Sequence, residues 1–274
     1  MTRGRLRRYN LRGVRHPAQG QMRQMWSANY QFRTFSVGDQ EVPAVMLGTS
    51  PFIGAGQFGK KAEFYYNRFF LQPENIIDIV VRAVELGVNA VQVIAYHQVL
   101  EAVHEAAKRT RTELFLMGTV GLGSIEREIR MVLDVGAQGV LVHGSLADRD
   151  MPFACQHLAK LREQGLVTGI ATHRPGMTIP RVEEMEEVAL ILSPFNKLGR
   201  FMDPSVDSTL QAIESTSKPI IAMKPLAAGR LSPQEGLAYL PGKVAGVAVG
   251  IASVKEAEET FAVAKRYFPP SPTA

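Results

Sequence analysis

Five side chains that could transfer protons lie at or just after the ends of short apolar runs in the 274-residue chain. They are Tyr96, His97, His143, His173 and Lys224. An imidazole changes its charge near neutral pH, and burial can lower the pKa of a lysine until it acts as an acid, a base or a nucleophile. The sequence therefore predicts proton transfer, provided that the fold brings these residues together. For any one of them, a hydrogen-bonded polar group at the rim of the fold is the simpler alternative.

A metal site is a second chemistry that the histidines allow, because three imidazoles can hold a catalytic zinc ion. The ligands would have to come from three different apolar runs, and no carboxylate stands at the end of a neighbouring run. The short spacings HxH and HExxH do not occur in the sequence. We therefore predict no metal site.

The elements that would position these residues follow an alternation of apolar runs and helical patterns, roughly 25 to 30 residues per unit. A hairpin comes first, with strands over residues 31–37 and 41–48, and its second strand continues as the first buried strand. Further strands are predicted over residues 90–95, 114–119, 139–143, 167–172, 189–192, 220–223 and 247–251. Helices are predicted over residues 73–86, 99–108, 125–135, 152–163, 179–187, 204–215 (with Asp203 as N-cap), 233–240 and 254–267.

This alternation predicts the α/β class and a (β/α)8 TIM barrel with a short N-terminal hairpin. The residues that follow the strands would then share one face of the barrel. An open doubly wound sheet is the alternative, and it is disfavoured because no GxGxxG fingerprint opens the first unit. We assign residues 31–268 to one barrel domain, residues 1–30 to a basic N-terminal extension and residues 269–274 to a Pro-rich tail.

The formal net charge of +5 is concentrated at the N-terminus. Residues 1–38 contain eight arginines and no acidic residue, so the rest of the chain is mildly acidic. Such an arm could contact nucleic acid. It has few aromatic residues and no nucleic-acid-binding motif, so we predict a disordered or wrapping extension without a nucleic-acid partner.

The composition also bears on the compartment. Cys155 is the only cysteine, which excludes an intrachain disulfide. No apolar run approaches the ~20 residues that a membrane helix needs, and no segment resembles a signal peptide. We expect a cytoplasmic protein with no membrane partner.

A possible anion site precedes the last predicted helix, at Gly250 to Ser253. Backbone N–H groups at a helix start favour a phosphate, and Ser253 with Glu256 has the spacing of a capping box. A capped helix start that binds no ligand is the alternative.

Seven segments, taken in order, resemble the aldo/keto reductase superfamily over roughly residues 32–265. They are VPAVMLGTSPFIGAGQFG, AVELGVNAVQVIA, VLVHGSLAD, GIATHRPG, SPFNKLG, MKPLAAGRL and VAVGIASVKEAEE. The family's reductases use an Asp, a Tyr, a Lys and a His, of which only His143 matches. Gln92 stands at the Asp position, His97 at the Tyr position with Tyr96 one residue earlier, and the Lys position falls near Val120.

The resemblance implies a nicotinamide cofactor, NADP(H) or NAD(H). Phe195, followed by Asn196, would stack on the nicotinamide, and Thr172 and His173 would hold its carboxamide. The loop over the pyrophosphate would consist of Leu226, Ala227, Gly229 and Leu231, and the turn at the adenosine phosphate of Gly250 and Ser253.

Three functions stay open. The first is an aldo/keto reductase-like, NAD(P)H-dependent oxidoreductase acting on a small carbonyl compound, with a rearranged proton-donor set. His143 would orient the carbonyl, and Tyr96 or His97 would give the proton. The second is a non-catalytic barrel that binds a nucleotide or metabolite, since the family's Asp and Lys are absent. The third is a Schiff-base lyase or aldolase that uses Lys224. Each has a small molecule as its partner.

Overall fold

Eight parallel strands close into a barrel in the computed structural model of this protein, which describes residues 31–270. The barrel strands are β3 (Val45–Gly48), β4 (Ala90–Ile94), β5 (Phe115–Val120), β6 (Gly139–Val142), β7 (Val167–Ala171), β8 (Leu190–Pro194), β9 (Ile220–Met223) and β10 (Gly246–Gly250). They neighbour each other in chain order, and β10 pairs with β3 to complete the ring. The predicted (β/α)8 barrel is confirmed. The predicted extension over residues 1–30 and the last four residues of the tail lie outside the described residues.

The strands are apolar on both sides, as expected for parallel strands covered by helices. Alternate residues belong to two separate clusters. Met46, Leu141 and Ala171 pack in the cluster inside the barrel. Val140 and Ile170, one position away from Leu141 and Ala171, pack in the cluster between the barrel and its helices. Each strand position therefore has a fixed direction, inward or outward, that alternates along the chain.

The predicted hairpin is confirmed at the amino end of the barrel. It comprises β1 (Thr34–Val37) and β2 (Gln40–Pro43), which pair antiparallel. Val37 and Val42 are buried and belong to the interior cluster. Arg33 donates hydrogen bonds to the carbonyl oxygens of Val244 and Ala245, which precede β10. The hairpin thus covers the end of the barrel opposite the carboxyl ends of the strands.

The helices lie outside the strands. They are α1 (Ala62–Phe70), α2 (Glu74–Glu85), α3 (His97–Thr110), α4 (Ile125–Asp134), α5 (Gly144–Ala147), α6 (Met151–Glu163), α7 (Pro175–Arg181), α8 (Val206–Ser215), α9 (Pro233–Leu237) and α10 (Val254–Tyr267). Within residues 31–270, no helix is both long and apolar enough to cross a bilayer. The sequence did not indicate α1 or the one-turn helix α5.

The helix predicted over residues 179–187 is wrong in its position. In the structure α7 begins at Pro175, where a missing N–H costs nothing, and ends at Arg181 just after Pro180. The residues that follow form turns. The ammonium group of Lys218 binds the carbonyl oxygens of Met185 and Val188 at 3.0 and 2.8 Å, which stabilises those turns in place of a helix.

The N-cap predicted at Asp203 is also wrong. Ser205 caps α8, because its Oγ accepts a hydrogen bond from the backbone N–H of Ser208 at 3.1 Å. Asp203 is two residues earlier and precedes a cis bond to Pro204. It therefore belongs to the loop after β8, beside the site described below.

Candidate functional site

Three of the predicted residues, His143, His173 and Lys224, come together at the carboxyl end of the barrel. They follow β6, β7 and β9 directly or within two residues. The rings of His143 and His173 meet edge to face, with centroids 4.8 Å apart. The positive charge of Lys224 lowers the pKa of both histidines, although burial is the larger cause for each. We call these three residues the strand-end cluster.

His143 is held in one orientation by the short helix that follows it. It is the N-cap of α5, and its Nδ1 accepts a hydrogen bond from the backbone N–H of Ser145 at 3.2 Å. An acceptor nitrogen carries no proton, so we assign the proton of the neutral ring to Nε2. Burial, then His173 and Lys224, lowers the pKa of His143 to about 4. Near neutral pH the ring is therefore an uncharged N–H donor.

Lys224 has an unusual backbone as well as an unusual pKa. Burial lowers the pKa of its ammonium group to about 8, against the opposing charge of Asp203. Its φ angle is 56°, in the left-handed region that costs a non-glycine residue about 1 kcal/mol. Its Nζ lies 5.3 Å from the ring centroid of Phe201, whose φ is 64°.

Backbone strain concentrates around this cluster. Five described residues other than glycine have a positive φ angle, and Arg111 ends a helix on the barrel's outside. The other four are Phe201, Lys224, Ala227 and Ala228, in the loops that follow β8 and β9. Strained backbone of this kind persists where the surrounding structure enforces it, often at functional sites.

Asp148, which was not predicted from the sequence, accepts three hydrogen bonds that hold the chain segment of His173 in place. Its Oδ1 accepts hydrogen bonds from the hydroxyl groups of Thr172 at 2.6 Å and Thr178 at 2.8 Å. Its Oδ2 accepts one from the backbone N–H of His173 at 2.8 Å. Asp148 was missed because it follows no strand; α5 turns the chain back and carries it to the end of β7. Its position five residues after His143 was the available signal.

Tyr96 and His97 do not join the cluster. The ring of His97 faces solvent, with its side chain 67% exposed, and its Nδ1 lies 3.2 Å from a carboxylate oxygen of Glu101. Tyr96 is 40% exposed and borders a small apolar pocket whose wall includes Phe52 and Phe69. Among the described residues, neither side chain forms a hydrogen bond or ring contact with His143.

Gln92, at the family's Asp position, belongs to a layer of neutral polar groups in the barrel. Its amide nitrogen donates a hydrogen bond to the hydroxyl of Thr119 at 2.7 Å, and both side chains are buried. In the same layer the hydroxyl of Thr49 accepts a hydrogen bond from the backbone N–H of Ile94 at 3.0 Å. This layer carries no charge that could tune a neighbouring acid.

Three side chains predicted to bind a nicotinamide make internal contacts. Thr172 is buried and bonded to Asp148. Phe195 is fully buried and stacks on Tyr239 with centroids 5.2 Å apart. The amide of Asn196 exchanges hydrogen bonds with the backbone of Arg200, closing the loop after β8. His173, in contrast, has its ring beside His143.

The loop predicted to cover a pyrophosphate is tightly folded. The backbone N–H groups of Gly229, Arg230 and Leu231 all donate to the carbonyl oxygen of Leu226, and that of Ala227 donates to Lys224. Gly229 is exposed and has open space beside it.

The anion site predicted at the start of α10 is a capped helix start in the structure. Ser253 is the N-cap, as predicted, and its Oγ accepts from the backbone N–H of Glu256 at 3.1 Å. The carboxylate of Glu256 accepts from the backbone N–H of Ala252 at 2.8 Å. Gly250 is exposed at the end of β10. In the described part of the chain, no three His, Cys, Asp or Glu side chains gather as metal ligands.

Several solved structures of aldo-keto reductases align with this barrel. An aldo/keto reductase from Brucella melitensis aligns with a TM-score of 0.61 at 14% identity, over 85% of this chain and 93% of its own. MGS-M4, an aldo-keto reductase enzyme from a Medee basin deep-sea metagenome library, aligns with a TM-score of 0.61 at 14% identity, over 84% and 88%. A Pseudomonas aeruginosa protein assigned to the aldo-keto reductases aligns with a TM-score of 0.62 at 18% identity, over 89% and 99%.

Neither a protein-family model nor a curated protein sequence matches the chain. The predicted resemblance is confirmed at the level of the fold: the chain has the barrel of the aldo-keto reductases. Fold alone does not determine a reaction, so the function is argued from the strand-end cluster.

Proposed function

We propose that this protein is an oxidoreductase that reduces a small carbonyl compound with NADPH or NADH. The observation that carries the proposal is the geometry of His143, whose Nδ1 accepts a hydrogen bond from the backbone N–H of Ser145 at 3.2 Å and so leaves Nε2 as the assigned donor. A neutral imidazole can donate its N–H hydrogen bond to a carbonyl oxygen without a change in its own charge. Donors held in place before the reaction stabilise the negative charge that develops on that oxygen.

Lys224 takes the part of the proton donor in this proposal. Tyr96 and His97, the donors expected from the sequence, lie away from His143. The ammonium of Lys224 belongs to the same cluster, and its pKa of about 8 is near the working pH, where a general acid is most effective. It can stabilise the developing alkoxide and then protonate it.

The cofactor's outer part fits groups at the mouth of the barrel. Gly229 leaves open space beside its loop, Arg230 is exposed there, and the start of α10 is near the end of β10. The cationic side chain of Arg230 suits a phosphate group, whereas the start of α10 is already capped by Ser253 and Glu256. When bound, the nicotinamide would supply a hydride. Because Thr172, Phe195 and Asn196 are engaged in internal contacts, the nicotinamide ring would be held chiefly through His173.

Titration of the purified protein with NADPH and NADH, followed by cofactor fluorescence, tests the proposal. We expect saturable binding of one or both, and cofactor oxidation when a panel of small aldehydes and ketones is added. Binding without oxidation by any carbonyl compound would favour the non-catalytic barrel. If neither cofactor binds at millimolar concentration, the proposed oxidoreductase function is excluded.

A Schiff-base enzyme is the second candidate, and Lys224 favours it specifically. A largely buried amine with a pKa of about 8 is partly unprotonated near neutral pH and can attack a carbonyl carbon. Condensation releases water and leaves an imine. Incubation with a small carbonyl compound and borohydride, followed by mass spectrometry, would find the reduced adduct on Lys224. An unmodified Lys224 would exclude this candidate.

We further propose a small-molecule substrate, no nucleic-acid partner and a cytoplasmic location. The single cysteine and the lack of a nucleic-acid-binding motif support these assignments.

A further inference from the structure

Lys224 carries a largely buried positive charge that residues 31–270 do not neutralise. Within that range no side chain forms an ion pair with its Nζ, and no acceptor forms a hydrogen bond with it. Its close contact is the face of the Phe201 ring, with Nζ 5.3 Å from the centroid. The Nζ atom of Lys224 is not among the fully buried side-chain atoms without a partner, so the ammonium group can be reached from outside. A cation–π contact offsets only part of the cost of its partial desolvation.

The two carboxylates that act on this cluster electrostatically do not pair with Lys224. Asp148 directs both oxygens away from it, to Thr172, Thr178 and the backbone of His173. Asp203 is exposed, and its effect on Lys224 is felt through space, without an ion pair. Neither carboxylate therefore supplies a counter-charge to the ammonium group.

The groups around the ammonium group suit an anion. His143 presents the Nε2–H group of a neutral ring, and the His173 ring lies against it with centroids 4.8 Å apart. The guanidinium of Arg200 lies over the same Phe201 ring, 5.6 Å from its centroid. Two cationic side chains, Lys224 and the exposed Arg200, therefore contact the ring of Phe201.

We propose that the missing counter-charge is an anionic group of the substrate, a carboxylate or a phosphate held close to the carbonyl group by Lys224. This rests on the proposed function, because it names the class of carbonyl compound that would be reduced. His143 and Lys224 share one cluster, so the carbonyl oxygen and the anion must lie close together in the ligand. A 2-oxoacid, whose carboxylate is bonded to the carbonyl carbon, has that arrangement.

Calorimetric titration without cofactor tests the inference with two ligands of the same shape. Pyruvate carries the charge, and pyruvamide, its neutral amide, does not. We expect pyruvate to bind at least tenfold more tightly to the wild-type protein. In Lys224→Met this preference should disappear, because pyruvate binding weakens at least tenfold while pyruvamide binding changes less than twofold. Inorganic phosphate that competes with pyruvate would identify phosphate as a second form of the same anion.

Lys197→Met is the matched control, since Lys197 is an exposed lysine in the loop after β8. The preference for pyruvate should survive in it. Should Lys224→Met fail to fold, Lys224→Gln keeps a polar side chain without the charge. Equal affinity of the wild-type protein for the two ligands would overturn the inference, and so would a preference that persists without Lys224. Because no cofactor is present, a failure of NADPH to bind would leave this result readable by itself.

Discussion

His143, His173 and His97 each come within three residues of the end of a barrel strand, but they end in opposite surroundings. The first two lie beside Lys224 in partly buried positions, with lowered pKa values. His97 faces solvent and pairs with Glu101 across one turn of α3. A histidine at a strand end is therefore not by itself a site residue.

The alternation of each strand explains the difference. Leu141 and Ala171 point into the barrel, so His143 and His173, two positions later, continue the inward row. On β4 the inward row is Ala90 and Gln92, and Ala95 packs outside the barrel. His97, two positions after Ala95, continues the outward row. For these three histidines the row of the preceding apolar residues matches the surroundings of the side chain. Lys224 departs from this pattern, because it follows the outward-facing Ile220 and Ala222 and joins the cluster with a left-handed backbone, φ 56°.

Of the variants that distinguish these histidines, His143→Ala should show the largest loss of activity. Without the Nε2–H donor the carbonyl oxygen loses its fixed hydrogen bond, and we expect any carbonyl reduction to fall by about 10²- to 10⁴-fold. Affinity for the cofactor should stay within severalfold. Steady-state rates and cofactor titration measure the two effects. His97→Ala serves as the control and should keep its rate; an unchanged rate in His143→Ala would remove His143 from the mechanism.

Asp148→Asn should have the next largest effect, because the Asp148 carboxylate holds the backbone of His173 together with Thr172 and Thr178. Three hydrogen bonds to its carboxylate lose their ionic character, and we expect the free energy of unfolding to fall by about 2 kcal/mol. Urea denaturation measures it. Asp150→Asn is the control, because Asp150 only caps α6 and asparagine caps equally well. Equal stability of the two variants would show that Asp148 is not a structural support.

Acid should destabilise the protein through the inward histidines. The folded-state pKa of His143 is about 4, below its ordinary value of 6.5, so the unfolded chain binds a proton in this range that the folded chain does not. The free energy of unfolding should therefore fall as pH decreases from 6.5 to 4, by about 2 kcal/mol after allowing for partial exposure. His173 acts in the same direction.

Urea midpoints measured at several pH values would show this slope. In His143→Gln the slope should become shallower, whereas in His97→Gln it should match the wild-type protein. A slope that does not depend on His143 would mean that its ring is protonated in the folded protein.

The smallest effect on stability and rate is expected for the exposed pair of His97 and Glu101. Glu101→Gln removes the partner of His97, and exposed ion pairs contribute less than about 1 kcal/mol. We expect the free energy of unfolding to change by at most about 0.5 kcal/mol and the rate to stay the same. A larger loss of activity would mean that the end of β4 takes part in the reaction after all.

The fold could be read from the sequence because each strand is a short apolar run, and each is followed by a helix or a glycine-rich stop. The site could be read only in part. His143, His173 and Lys224 were found from their places after strands, whereas Asp148 reaches the cluster through a single helical turn that leaves no periodic signal. Helix α1 was missed because its aromatic residues include both the buried Phe69 and the exposed Phe64 and Tyr66.

Tyr96 and His97 show the limit most clearly. The resemblance to the family's order of segments singled out Tyr96 and His97 as proton donors. Nothing in the residue types reveals that the chain turns at the end of β4. In the structure the backbone N–H of Tyr96 bonds back to the carbonyl oxygen of Ile94 at 2.7 Å, and α3 begins at the next residue. A tertiary turn of this kind depends on what packs around it.

The hairpin β1–β2 covers the end of the barrel at which the strands begin. Val37 and Val42 close this end of the barrel with apolar side chains. They pack in the same buried interior cluster as Met117 and Leu141. A ligand can therefore reach the strand-end cluster only from the side of the carboxyl ends of the strands, and it must leave by the same side. Product-inhibition kinetics would show whether two ligands that share this side bind in a fixed order.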